Sequence, residues 1–333
     1  MSLKRRRPTT DMKIAVDAVG HVGSFWAARH PPADPKHISY LNKTVLVTGA
    51  NSGLGNEAAV KYATLGADPL ILAVRSPEKG EQAKTDIIRR TKCSPDIFLI
   101  ETVDFSSFAS VKAFVERIVS HLSITRLHVA QVAPGLAQWR YEKSPDGYET
   151  TFQVNVLSQA LLALLLLPKM SETAAAIAGF EVTTDWLPPG QSLIQRCDDQ
   201  SKWDPIRQYY LAKLALWHVI EGLVEHCSKD KESRKIIANA SCPSGCKTNM
   251  DRNFPSLVKP ILAVQHFICG RSAEQRARTL VGATALGHKS HGKLWRNDTI
   301  YPPTGFVASQ RGQEVSRETW NEVLEILHQR GFI

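Results

Sequence analysis

The chain has only short unbroken apolar runs. Its longest, Ala160–Leu167, is eight residues and stops at Pro168, whereas a span needs about twenty; such a run belongs to a core or interface helix. No secretory leader is expected, because Lys4-Arg5-Arg6-Arg7 leads into the polar Pro8-Thr9-Thr10-Asp11 and not into an apolar stretch. No Cys-x-x-Cys pair occurs among the six cysteines at 93, 197, 227, 242, 246 and 269. Cys242 and Cys246 have no His or Cys partner at zinc-site spacing, and His288 and His291 have no third ligand nearby. Together these absences predict reduced thiols, no metal site, no membrane span and a cytoplasmic setting.

A basic stripe is lacking too. The net charge is +9, yet the one dense cluster is Lys4–Arg7. Elsewhere opposite charges interleave, as in Glu78-Lys79-Gly80-Glu81 and Lys229-Asp230-Lys231-Glu232, which is how a solvated helix face reads. Nucleic acid is therefore not an expected partner. With 43% hydrophobic and 22% charged residues over 333 positions, there is material for one large domain with a buried core.

Residues 1–41 hold Pro8, Pro31, Pro32 and Pro35 and keep no period, so they read as an N-terminal extension to a domain over 42–333. From Lys43 apolar strands alternate with helices. Strands are expected at Thr44–Val47, Pro69–Val74, Ile97–Asp104 and Leu127–Ala133; helices at Gly53–Leu65, Glu78–Thr91, Ser107–His121 and Gly147–Leu167. Val111, Phe114, Val115, Ile118 and Val119 form the stripe of a helix covering a sheet. A fifth strand is expected within Ala174–Thr184, then a polar insertion (Leu187–Asp204) and a helix over Pro205–Cys227. A sixth strand is expected at Ile236–Cys242 and a seventh at Gly292–Trp295. The pattern predicts an α/β fold, a Rossmann-type doubly wound parallel sheet covered on both faces.

The first strand runs into Thr48-Gly49-Ala50-Asn51-Ser52-Gly53-Leu54-Gly55, and a helix follows. Glycines there let the backbone turn tightly and approach a pyrophosphate, whose charge meets the amides of the helix N-terminus. About twenty residues further on, an acid would bind the ribose hydroxyl of NAD. The chain has Ala73-Val74-Arg75-Ser76 and no acid. A guanidinium provides forked donors for the extra phosphate of NADP, so NADP is the expected cofactor, with Arg75 as its reader.

The spacing T-G-x-x-x-G-x-G resembles that of the short-chain dehydrogenases/reductases. The resemblance implies that Gly49, Ser52, Gly53, Leu54 and Gly55 line the diphosphate, and that Asp104 accepts a hydrogen bond from the adenine; Asp104 or Ser106 would equally cap the next helix. Tyr209-Tyr210-Leu211-Ala212-Lys213 matches the family's Y-x-x-x-K motif. Residues four apart share a helix face, so the ammonium favours the phenolate and Tyr209 can exchange a proton with an alkoxide. By the same resemblance Lys213 holds the nicotinamide ribose, Asn155 opens its helix locally to complete a proton relay, and Thr248 in Cys242-Pro243-Ser244-Gly245-Cys246-Lys247-Thr248 contacts the carboxamide. Where the family has a catalytic serine, Thr184 is the candidate to hydrogen-bond the substrate oxygen, with Ser192 in reserve; a turn-capping role for Thr184 stays open.

The resemblance spans about residues 42–300 and, with Lys143-Ser144-Pro145-Asp146-Gly147-Tyr148-Glu149, looks most like fungal members of secondary-metabolite pathways. It implies interconversion of a carbonyl and an alcohol on a small hydrophobic or polyketide-like substrate; a homo-oligomer is compatible with the sequence. One motif departs: Ala133-Pro134-Gly135 stands where the family has Asn-Ala-Gly. Without that Asn, backbone groups of adjacent strands need water or another side chain, or stay unpaired. An active enzyme, a degenerate NADP binder serving as sensor or scaffold, and a structural partner with vestigial pockets all remain as readings.

Overall fold

Val45–Thr48 (β1) is buried at every position, as a strand covered on both faces must be. The computed structural model describes residues 29–170, 187, 190–243 and 271–333. After β1 come α1 (Gly53–Thr64), β2 (Leu70–Val74), α2 (Pro77–Thr91), β3 (Phe98–Thr102), α3 (Phe108–Ser120) and β4 (Val129–Gln131). Next is α4, built from Thr150–Phe152, a π-turn at Gln153–Leu157 and Ser158–Leu166. Then follow α5 (Leu193–Asp198), α6 (Pro205–Lys229), β5 (Ala240–Ser241), α7 (Ala273–Ala283), β6 (Leu294–Arg296), β7 (Thr299–Tyr301) and α8 (Gln310–Gln329).

The first four strands pair in parallel in the order β3-β2-β1-β4. Register sorts their side chains onto two faces. Leu46, Ile71 and Ala130 are aligned and pack with residues of α3, α4, α6 and α8. Val45, Leu70, Phe98 and Val129 are aligned and pack with residues of α1, α2 and α7. The chain leaves β1 on one side for β2 and β3 and returns on the other for β4. The carboxyl end of β1 is thus the switch point at which a doubly wound sheet opens a crevice. A second group orders as β5-β6-β7, β5 parallel and β7 antiparallel to β6.

Several boundaries differ from those expected. The long helix starts at Thr150 and not at Gly147, because Gly147 (φ +91°) sits in a turn closed by the Lys143–Glu149 bridge and Glu149 is the N-cap. The sixth strand shrinks to Ala240–Ser241, since the Ala238 amide donates to His291 Nδ1 and its carbonyl accepts from Gly292. The polar insertion contains α5, whose Leu193, Ile194 and Cys197 are buried in the larger core. The strand expected within 174–184 lies outside the described residues. In the N-terminal stretch, Tyr40 is 2% exposed and bonds Thr284, and Asp34 pairs with Lys61 of α1, so residues 29–41 are fastened onto the domain. The stretch Thr150–Lys169 would be long and apolar enough for a membrane, but α4 is packed into the larger core.

Candidate active site

The turn after β1 is shaped by two left-handed glycines, Gly49 (φ +66°) and Gly53 (φ +57°). A Cβ on Gly55 would lie 2.3 Å from the Gly49 carbonyl oxygen, so only glycine lets α1 start this close to the turn. Asn56 Nδ2 donates to the Ala50 carbonyl at 3.2 Å and closes it. Ser52 is the N-cap, yet its side chain makes no capping bond. The first-turn amides of α1 therefore keep their capacity for an anion.

These residues line a cleft of about 610 Å³ at the carboxyl ends of β1 to β4, within the usual range of ligand sites. Seven expected cofactor residues meet there: Gly49, Ser52, Gly53, Leu54, Gly55, Arg75 and Asp104. Lys79, not among those expected, joins Arg75 and Ser76 along the same wall. It follows Arg75 by four residues, on the first turn of α2, where Ser76 is the N-cap; that spacing was its signal. Neither Arg75 nor Lys79 has an ion-pair partner among the described residues. Asp104 Oδ1 accepts from the Ser106 amide (2.9 Å) and hydroxyl (2.8 Å). The cap of α3 is Ser107, not Asp104 or Ser106.

The loop after β4 forms the opposite wall, and its backbone is held by side chains in place of the missing Asn. The Ala133 amide donates to Thr48 Oγ1 at 2.9 Å. Gln159 Nε2 donates to the Pro134 carbonyl at 3.1 Å. Asn155 bonds both polar groups of Leu136, accepting its amide at 2.9 Å and donating to its carbonyl at 2.7 Å. Asn155 is wholly buried in the middle of the π-turn, a local widening that recurs at functional positions.

The π-turn packs against α6, which carries Tyr209 and Lys213. Asp204 caps α6 by accepting from the Ile206 and Arg207 amides, with Pro205 in the first position. Lys213 Nζ lies 5.4 Å from the centre of the Tyr209 ring. Lys213 is 5% exposed; burial pushes its ammonium down to about 8, with the Cys242 thiol acting the other way. Its distance from the Tyr209 ring places the ammonium within cation–π range. Thr184 and Thr248 lie outside the described residues. Ser192 is occupied elsewhere, since its hydroxyl accepts from the Gln195 amide in a capping box on α5.

Residues 43–178 match the family model described as short chain dehydrogenase. The chain is 36% identical over 327 residues to the short-chain dehydrogenase/reductase ffsI of Aspergillus flavipes, with 94% of each chain covered. It is 35% identical over 314 residues to the short-chain dehydrogenase/reductase phmF of Phaeosphaeria nodorum, with 90% of each covered. Among solved structures, an uncharacterized protein from Mycobacterium paratuberculosis matches with a TM-score of 0.62 at 21% identity, over 91% of this chain and 97% of that one. A short chain dehydrogenase from Shigella flexneri complexed with NADP matches with a TM-score of 0.52 at 20% identity, over 78% of this chain and 98% of that one. At these identities the two structures speak to the fold alone.

Proposed function

The chain belongs to the short-chain dehydrogenase/reductase family, and from that premise we propose that it interconverts a carbonyl and an alcohol with NADP as cofactor. The observation that carries this reading is the buried Lys213 ammonium 5.4 Å from the Tyr209 ring centre. Bound NADP supplies or accepts the hydride. Tyr209 gives its phenolic proton to the developing alkoxide, or takes one in the reverse direction, and Lys213 holds the phenol toward ionisation. Asn155 keeps the Leu136 loop in place beside the cofactor cleft. Thr184 is the proposed donor to the substrate oxygen and Thr248 the contact of the carboxamide.

NADP is favoured over NAD because the wall after β2 has two cations, Arg75 and Lys79, and no carboxylate from Ala73 to Ser76. The uncapped amides of α1 suit the diphosphate, and Gly53, where an added Cβ would meet nothing within 4 Å, leaves the turn open to its approach. The substrate would be a small hydrophobic or polyketide-like metabolite, and the four described cysteines, all free, fit a reducing cytoplasmic setting. The side-chain bonds that hold the Ala133-Pro134 loop favour an active enzyme over a degenerate binder.

Fluorescence titration tests the cofactor: NADPH is expected to bind more tightly than NADH, and Arg75→Asp to narrow or reverse that preference. Equal dissociation constants in the parent would sink the assignment. Tyr209→Phe keeps the ring and removes the proton, so turnover is expected to fall about a hundredfold or more with NADPH binding nearly intact. A Phe variant as fast as the parent would give the proton step to another residue.

A further inference from the structure

Glu149 is a carboxylate with 0% exposure, outside the chemistry just described but placed where the two halves of that site meet. Its Oε2 caps α4 by accepting, at 2.8 Å, from the amide of Phe152, which lies three residues before Asn155. The same oxygen accepts from Gln208 Nε2 at 2.7 Å. Gln208 is 1% exposed, directly precedes Tyr209, and gives its other N–H to the Cys197 carbonyl at 2.9 Å. The Glu149 amide in turn donates to Asp198 Oδ1 at 2.7 Å. One oxygen thus joins the Asn155 helix to the first turn of the Tyr209 helix, with the end of α5 fixed alongside.

Capping alone does not account for a glutamate here. Ser, Thr, Asp and Asn are the favoured N-cap residues, and they cap with shorter side chains. A buried carboxylate is costly unless its hydrogen bonds are made; Oε1 of Glu149 is buried without a hydrogen-bond partner among the described residues, and burial pushes the carboxyl up from its ordinary value. What the longer side chain adds is the reach to Gln208 on another helix. We propose that Glu149 and Gln208 form a positioning pair that sets the first turn of α6, and with it the Tyr209 phenol, against the Asn155 turn. The pair rests on the reading of Tyr209 as the proton donor. It acts through geometry: Glu149→Gln keeps a carbonyl oxygen for both donors, Glu149→Ala removes the acceptor, and Gln208→Met keeps the bulk while losing both of its bonds.

The test measures kcat and KM for NADPH-driven reduction of phenanthrenequinone, the NADPH dissociation constant, and amide hydrogen exchange over residues 205–210. Glu149→Ala and Gln208→Met are expected to lower kcat by about 10- to 100-fold, as small misplacements of a reacting group do. NADPH affinity is expected to hold within about threefold and exchange over 205–210 to quicken, while Glu149→Gln retains kcat within about threefold. Should Glu149→Ala not fold, Gln208→Met carries the test, because it leaves the Phe152 cap in place. Unchanged kcat in Gln208→Met, beside a Tyr209→Phe variant that has lost turnover, overturns the pair. If Tyr209→Phe keeps full turnover the functional reading has failed, and in that case, as when the parent does not reduce phenanthrenequinone, exchange alone judges the pair. Faster exchange in Gln208→Met but not in Glu149→Gln sustains it; parent-like exchange in Gln208→Met overturns it.

Discussion

In the folded chain burial pushes the Lys213 ammonium down to about 8 from its ordinary 10.5. Between those values the unfolded chain holds a proton that the folded chain has released. Folding stability from this group is therefore present above the unfolded value and lost as the pH falls through about 8. Without cofactor, the parent is expected to gain urea resistance from this group as the pH rises across that window, and Lys213→Met to lack that gain. Equal pH slopes in the two proteins would mean that Lys213 is solvated. At Thr48 the stake is a backbone donor. Thr48 is 0% exposed and accepts the Ala133 amide, so Thr48→Val strands that N–H and should cost about 1–3 kcal/mol, read as a lowered denaturation midpoint. The double change Ala133→Asn, Pro134→Ala should bring no rise in melting temperature, because Thr48, Gln159 and Asn155 already satisfy the loop. A clear rise would show that the added amide finds a buried partner of its own.

Between elements, one close approach occurs where α8 crosses α6. A Cβ on Gly222 would lie 2.1 Å from a ring atom of Trp320, which is 7% exposed in the core. Gly222→Val is expected to cost about 1–3 kcal/mol or more through overpacking, and Trp320→Leu in the same chain to restore part of the loss. Additive losses in urea melts would place the strain elsewhere. This contact also marks what the sequence could not convey. The glycine turn, Arg75 and the Tyr209–Lys213 spacing were legible because each is local: a tight turn, a strand end and one helical turn fix them. Gln208 and Glu149 are 59 residues apart, and no periodicity links them. The boxes Ser192–Gln195 and Ser272–Gln275, which open α5 and α7, were in plain view as S-x-x-Q. The first lay inside a segment that its polarity marks as loop, and polarity there hid a helix with a buried face.

At the scale of the whole molecule, residues 330–332 pack beside the first residue of α3, just beyond the Asp104–Ser106 edge of the cofactor cleft. Arg330 Nη2 donates to the Asp146 carbonyl at 2.7 Å, and its guanidinium stands 5.1 Å from the Tyr148 ring centre and 5.9 Å from that of Phe108. The Phe332 and Phe108 rings are 5.4 Å apart. Asp146 Oδ2 accepts from the Phe108 amide at 2.7 Å and from Gln153 Nε2 at 3.2 Å. The C-terminus, the first residue of α3 and the first residue of the π-turn are therefore held in one cluster. Phe108 lies four residues after Asp104, which lines the cleft. Cation–π contacts at exposed sites are worth about 0.5–1 kcal/mol each, and because Arg330 is exposed its hydrogen bond adds only about 0.5–1.5 kcal/mol. Removing residues 330–333 should cost a few kcal/mol in all, which for a chain this long lowers the melting temperature by several degrees. Because the cluster supports the turn that carries Asp104, the shortened chain should also bind NADPH more weakly, and the rise in melting temperature at a fixed NADPH concentration should shrink. Arg330→Met with Phe332 kept should lose only part of both effects. A shortened chain that melts like the parent and gains as much from NADPH would show that the cluster neither stabilises the fold nor supports the cleft.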